Sequence, residues 1–136
     1  MSHIKAILPD GWARGPGFSW GMSANAGRLV TIAGQLATEK GGIAVEAGMP
    51  FVKQFGMALR NVADVVRAAG GQPTDIVMLR AYVRDMNAFK SSPAEIREIW
   101  MATLGKHFPA MTMIGVTMLF DPNALVEIDG LAVIQD

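Results

Sequence analysis

Two carboxylates lie two residues apart in a strongly apolar stretch near the carboxyl end of the chain, Glu127 and Asp129 in the segment VEIDGLAVI. Residues two apart in a β-strand share one face, so both carboxylates are expected on one face, next to Leu131 and Val133. Such a face is too apolar for free exposure and too acidic for a closed core, which indicates a subunit interface or a cleft. A carboxylate partly removed from water can transfer protons at higher pH than usual. The alternative is that Glu127 only pairs with a cation of a neighbouring subunit.

The stretch around these carboxylates predicts a β-hairpin over residues 108–135. Two apolar runs are separated by Asp121-Pro122-Asn123, a sequence typical of a turn. Pairing the runs so that one face is uniformly apolar would leave Met111 and Met113 beside Glu127 on the other face. The predicted core face carries Thr112, Ile114, Val116, Met118 and Phe120 on the first run and Val126, Ile128, Gly130, Ala132 and Ile134 on the second.

Other reactive residue types give little support for catalysis. The chain has no cysteine, which excludes thiolate nucleophiles, disulfides and cysteine-ligated metals. His3 and His107 have no partners at metal-ligand spacing, so no metal site is predicted. Ser19, Ser91 and Ser92 are not accompanied by the histidine and aspartate of a catalytic triad, and helix capping explains Ser92.

The composition places limits on partners and location. Twelve basic and twelve acidic residues cancel, so we expect no binding to nucleic acid or to anionic membranes. The 136 residues are predicted to form a single domain, 1–136, and 51% of them are hydrophobic, an excess that suggests burial between subunits. The absence of cysteine is compatible with a reducing cytoplasm, where we expect the protein to be.

The elements that would position these residues are predicted from periodicity. A strand at residues 28–36 follows a weaker strand at 18–23 and a turn at Asn25-Ala26-Gly27. Apolar residues at helical spacing predict a helix between Pro50 and Gly70, and a capping box at Ser92 predicts a second helix ending at Gly105. Residues 75–84 alternate as a strand. The order is β-β-α-β-α-β-β, an α+β fold with two helices on one face of a sheet.

Five segments in this order resemble the Rid family (RidA/YjgF, also called endoribonuclease L-PSP). The resemblance rests on GRLVTIAGQLA, QFGMALRNVADVVRAAGG, DIVMLRAYVRDMNAF, IREIW with GKHFPA, and PAMT followed by VEIDGLAV. It implies a chorismate-mutase-like fold and a homotrimer with a small-molecule cleft at each subunit interface. It also implies hydrolysis of reactive enamines and imines to carbonyl compounds and ammonia, without a cofactor. Glu127 matches the catalytic position, and Ala33 and Gly34 match backbone groups that line the site.

The chain departs from the family pattern at the position of its substrate-binding arginine, which is Met111 here. Phe18 stands where the family often has tyrosine. Losing a bidentate arginine weakens carboxylate binding strongly, so the resemblance implies a more apolar substrate, a relocated cation such as Arg97, or lost catalysis. The expected substrate-binding residues are Phe18, Ala33, Gly34, Arg97, Met111 and Met113.

The sequence therefore leaves three functions open. The first is an imine or enamine deaminase with an altered, non-carboxylate substrate. The second is a non-catalytic, small-molecule-binding or regulatory homotrimer on the same fold. The third is a protein that binds other proteins through an apolar surface.

Overall fold

The computed structural model describes residues 2–136 as two β-sheets and three α-helices. This is the predicted α+β class, with one more strand and one more short helix than the sequence indicated. The elements are β1 (Ile4–Ile7), β2 (Gly21–Ala24), β3 (Arg28–Gln35), α1 (Phe51–Ala68), β4 (Ile76–Val83), α2 (Met86–Lys90), α3 (Pro93–Thr103), β5 (Ala110–Gly115) and β6 (Val126–Ile134).

The main sheet has the strand order β3-β6-β4-β5. The predicted hairpin over residues 108–135 is therefore wrong, because β4 lies between β5 and β6. β5 pairs with β4 in parallel, whereas β6 is antiparallel to both β4 and β3. Residues 116–125 connect β5 to β6 past the end of β4. The predicted turn at Asp121-Pro122-Asn123 is present within this connection, where the N–H of Ala124 donates to the carbonyl of Asp121 at 3.0 Å.

The parallel pairing reverses the predicted faces of β5. Met111 is level with Leu79 and Met113 with Ala81, and both β4 residues are fully buried. Met111 and Met113 accordingly pack against the main core, on the face opposite to Glu127. Thr112 and Ile114, predicted to face the core, are exposed.

The core lies between the sheet and the helices α1 and α3. On β6 the predicted core face is correct, since all five of its members are buried: Val126, Ile128, Gly130, Ala132 and Ile134. On α1 the apolar stripe predicted from helical spacing is buried as well, with Phe55, Leu59 and Val62 at its centre. α1 ends where Gly70 takes a positive φ, and Gly105 does the same after α3. Ser92 caps α3 by position but makes no side-chain capping bond.

The amino-terminal strands form a separate two-stranded ribbon in which β1 pairs antiparallel with β2. The sequence predicted an irregular arm here and a hairpin between the strands on either side of Asn25-Ala26-Gly27. Instead β2 pairs with β1, the strand that precedes it in the chain, and β3 pairs with β6. Contacts with the rest of the protein hold the amino-terminal region in place. Among them, His3 Nε2 lies 2.6 Å from the carbonyl oxygen of Val133, and the backbone N–H of Ser19 donates to the carbonyl of Pro109.

Within residues 2–136, no helix combines the length and the apolar composition needed to cross a bilayer.

Candidate functional site

Glu127 lies against a bulge in the neighbouring strand. Ile32 pairs with Gly130 and Gln35 with Ile128, so Ala33 and Gly34 together oppose the single residue Asp129. A two-against-one arrangement of this kind is a β-bulge, which bends a strand and redirects its side chains. Gly34 thereby comes against the side chain of Glu127, and a Cβ on Gly34 would lie 2.7 Å from Glu127 Cδ. A side chain at residue 34 would therefore displace the Glu127 carboxyl from this position.

The Glu127 carboxyl is partly buried and chemically available. Desolvation raises its pKa, and the negative charge of Asp129 adds to the effect. Among residues 2–136, no side chain or backbone donor forms a hydrogen bond or ion pair with this carboxyl. A carboxyl with a raised pKa and unused lone pairs is suited to taking up and releasing protons.

Asp129 is, in contrast, fully engaged. Arg80 donates to both of its oxygens, from Nε at 2.9 Å and from a terminal nitrogen at 3.1 Å, and the Tyr82 hydroxyl donates at 3.0 Å. These contacts raise the pKa of Arg80, while burial and the bond to Asp129 raise the pKa of Tyr82. Both oxygens of Asp129 are therefore occupied by donors from β4, whereas, among the described residues, the Glu127 carboxyl next to it has none.

Two arginines, Arg80 in β4 and Arg84 directly after it, have partners within this chain. Arg80 pairs with Asp129, and Arg84 donates to the carbonyl of Pro122 at 3.0 Å. The sequence missed this because Arg80 and Asp129 become cross-strand neighbours only through the β4–β6 register.

Two amides on α1 hold the segments that carry Glu127 and Gly34. Gln54 is 1% exposed, and its side chain accepts from the N–H of Leu125 and donates to the carbonyls of Met49 and Asn123. Asn61 donates to the carbonyl of Leu36 at 3.0 Å, two residues beyond Gly34. The only sequence signal for these roles is a polar residue inside an apolar helical stripe.

The remaining predicted site residues do not join Glu127 in this chain. Arg97 and Met111 line one cavity on the helix-covered side of the sheet. Met113 packs against the main core, and Phe18 packs edge-on against Trp20 at a ring distance of 5.0 Å. The structure thus brings together Ala33, Gly34 and Glu127 on one face and Arg97 with Met111 on the other.

Within the described residues no group of three His, Asp or Glu side chains is placed to hold a metal ion. The chemistry available at Glu127 is proton transfer, and its carboxyl lies on the face of the sheet that the helices leave open.

Comparisons with known proteins agree with this fold. The chain is 27% identical over 131 residues to a protein from Dermatophagoides farinae named 2-iminobutanoate/2-iminopropanoate deaminase, covering 96% of this chain and 98% of that one. It is similar to the solved structure of YyfB of the Rid protein family from Yersinia pestis, with a TM-score of 0.80, 31% identity and coverage of 97% and 99%. The YjgF structure from E. coli matches with a TM-score of 0.66 and 27% identity, covering 95% of this chain and 98% of that one.

The sequence also matches, over residues 16–134, the family described as Endoribonuclease L-PSP. The predicted α+β fold, with helices packed on one face of a sheet, is present. The chain therefore belongs to the Endoribonuclease L-PSP family, which is the Rid/YjgF family.

Proposed function

We propose that this protein hydrolyses a reactive imine or enamine to a carbonyl compound and ammonia, with Glu127 as the residue that moves protons. The observation that carries the proposal is the Glu127 carboxyl, which has a raised pKa, no partner among the described residues and a glycine bulge against it. The name of the deaminase relative from Dermatophagoides farinae is consistent with this reaction.

The reaction follows from elementary carbonyl chemistry. Water adds to the electrophilic imine carbon while the Glu127 carboxylate accepts one of its protons. Glu127 then returns this proton to the nitrogen, and the resulting carbinolamine loses ammonia to give the carbonyl compound. A raised pKa helps the second transfer, because a weaker acid holds the proton until the nitrogen can take it. Because Gly34 has no side chain, the bulge leaves space next to it for part of the substrate or for the attacking water.

The substrate is proposed to lack the carboxylate that short amino-acid imines carry. Within this chain, Arg80 is paired with Asp129, and Arg97 lies on the other side of the sheet from Glu127. Met111 supplies no charge. A substrate carboxylate next to Glu127 would meet like charge, and within the described residues of this chain no unpaired arginine lies there to offset it.

The open face of the sheet is proposed to be buried in a homotrimer. Leu29 is 64% exposed on this face and Ile114 is 36% exposed, an arrangement that association would cover. Burial there would enclose Glu127 in an interfacial cleft. Light scattering at micromolar concentration tests the assembly, and a monomer would contradict it.

A second candidate is a non-catalytic, small-molecule-binding homotrimer. It is favoured by one observation, namely that the position of the family's arginine is occupied by a methionine that lines an apolar cavity.

The deciding experiment is an imine-hydrolysis assay. Benzaldimine, generated in the assay by an amine oxidase from benzylamine, represents a non-carboxylate imine, and 2-iminobutanoate represents a carboxylate imine. We expect release of ammonia above the spontaneous rate with benzaldimine, weaker or no acceleration with 2-iminobutanoate, and loss of acceleration in Glu127→Gln. Equal spontaneous and protein-containing rates with both imines would leave the binding protein as the better description.

A further inference from the structure

The end of β3 is tied to α1 by one amide side chain. Asn61 donates from Nδ2 to the carbonyl of Leu36 at 3.0 Å and to the carbonyl of Thr38 at 2.8 Å. The chain turns between these two carbonyls, because the N–H of Thr38 donates to the carbonyl of Leu36 at 2.8 Å. A bond from residue i+2 back to residue i forms a γ-turn. Asn61 therefore holds a γ-turn at the point where β3 ends.

The bulge depends on this turn for its position. Ala33 and Gly34 have no paired residues of their own, since the register between β3 and β6 passes from Ile32 directly to Gln35. A bulge interrupts the ladder that holds a strand in place, so the backbone on either side of it must fix it. On the carboxyl side that backbone is Gln35, the last residue of β3, followed by the turn that Asn61 holds. Two residues of a strand span roughly 7 Å, so a displacement of the turn reaches Gly34.

The start of β6 is fixed by the same helix. Gln54 accepts a hydrogen bond from the N–H of Leu125, two residues before Glu127. Seven residues separate Gln54 from Asn61, so both amides lie on one face of α1. A buried apolar cluster also joins the two strand ends to this helix. Its members are Ala37, Val45, Met49, Met57 and Ala124. α1 therefore holds both of the strand ends that flank the contact between the bulge and the Glu127 carboxyl.

We propose that Asn61 is a positioning residue for Glu127: it holds the turn after β3 and so keeps the Gly34 bulge against the Glu127 carboxyl. Asn61 acts through the backbone, since its side chain binds the carbonyls of Leu36 and Thr38 and not the carboxyl. Its part in catalysis rests on the proposed imine hydrolysis, whereas its effect on Glu127 can be measured without turnover.

The pKa of Glu127 reports the position of the bulge. Burial is the main cause of the raised pKa, and Gly34 covers the carboxyl from the side of β3. When the turn is released and the bulge moves away, water reaches the carboxyl and its pKa falls toward the ordinary value of 4.5. NMR titration of the isotope-labelled side-chain carboxyl measures this pKa, and Glu127→Gln assigns the signal.

Asn61→Ala removes both hydrogen bonds and should give Glu127 a lower pKa than in the parent. Asn61 is half-buried, so water can bind the two freed carbonyls and the variant should fold. Asn61→Gln keeps the amide donors on a side chain one carbon longer and should restore most of the pKa. Val66→Ala is the control on the same helix, because Val66 is fully buried in the main core and outside the cluster at the strand ends. Its melting temperature should fall while the Glu127 pKa stays that of the parent.

The kinetic effect should fall on turnover and not on substrate binding. With benzaldimine, kcat of Asn61→Ala should fall by about tenfold, because the base is misplaced, while KM changes by less than about twofold, because Asn61 binds backbone and not substrate. The acid limb of the kcat/KM profile should move to lower pH together with the Glu127 pKa.

Two results would overturn the positioning role: an unchanged Glu127 pKa in Asn61→Ala, or an equal decrease in Val66→Ala, which would indicate general loosening of the fold. A lowered pKa with an unchanged kcat would exclude Asn61 from the reaction. A parent protein that turns over neither imine would refute the proposed hydrolysis, whereas a lowered pKa in Asn61→Ala would still show that Asn61 positions Glu127.

Discussion

Gly34 touches the carboxyl group of Glu127 across the bulge, so closely that a methyl group in its place would lie 2.7 Å from Glu127 Cδ. The contact joins a backbone irregularity in β3 to the one carboxyl in the described residues whose pKa is raised. Space at residue 34 and the position of the proton carrier are therefore linked.

Gly34→Ala should lower imine turnover by about ten- to a hundredfold, because the methyl group displaces the Glu127 carboxyl from its position beside the bulge. The neighbour is a movable side chain, so the melting temperature should change little. Gly115→Ala is the control, since a Cβ there would find its nearest atom only at 4.0 Å. If Gly34→Ala turns over imines at the rate of the parent, the bulge does not contribute to catalysis.

Glu127→Gln should stabilise the protein more at neutral than at acidic pH. Folding raises the Glu127 pKa above its ordinary value of 4.5, so the folded state favours the protonated form. The contribution of Glu127 to stability is present below the ordinary pKa and is lost as the pH rises through the raised one. Glutamine avoids this loss. Thermal melts of both proteins at pH 4 and pH 7 measure the effect, and a gain that shrinks with rising pH would contradict it.

Asp129→Asn should move the acid limb of the rate–pH profile to lower pH. Asp129 helps to raise the Glu127 pKa through its negative charge, and asparagine removes that charge while keeping the shape. In Asp129→Asn the Glu127 carboxyl therefore ionises at lower pH than in the parent. The measurement is kcat/KM for benzaldimine against pH, with Asp64→Asn, from an exposed ion pair on α1, as the control. An unmoved or upward-shifted limb would show that another group sets the profile.

Gln54→Leu should lower the free energy of unfolding by roughly 2–5 kcal/mol, because a buried N–H and two carbonyls lose their partner. Those groups belong to Leu125, Met49 and Asn123. Gln35→Leu is the control, as its amide bonds only the carbonyl of Ala33 near the surface. Urea unfolding of the three proteins gives the comparison. Equal midpoints for all of them would mean that water replaces Gln54 without cost.

Local patterns in the sequence predict the parts of the fold that have a strong contrast between faces. α1 has a clear apolar stripe, and β6 alternates buried and half-buried residues without interruption. β5 has no such contrast, since Met111, Met113 and Ile114 occupy both of its faces, so its partner could not be inferred. Its parallel pairing with β4 depends on contacts remote in sequence.

The candidate site was predictable only in part, for a related reason. Resemblance pointed to Glu127 and to Ala33-Gly34, and the structure brings these residues together. The separation of Met111 from Glu127 follows from the strand order, which alternation cannot specify. The hydrophobic pattern does not predict the bulge, because neither alanine nor glycine has a strong preference for the buried or the exposed face of a strand.

The position of β4 between β5 and β6 has a consequence for how the chain folds. β5 and β6 follow each other in sequence, and a hairpin between them would form within about 1–10 μs. That pairing would occupy the edges that β4 needs, so it must dissolve before the native sheet can close. In the native protein Val116 donates to the carbonyl of Val83, and Arg84 donates to the carbonyl of Leu125, so the connecting segment is fastened to the end of β4 from both sides. The last two strands of the chain therefore lie one on each side of β4 and, within residues 2–136, share no pairing with each other.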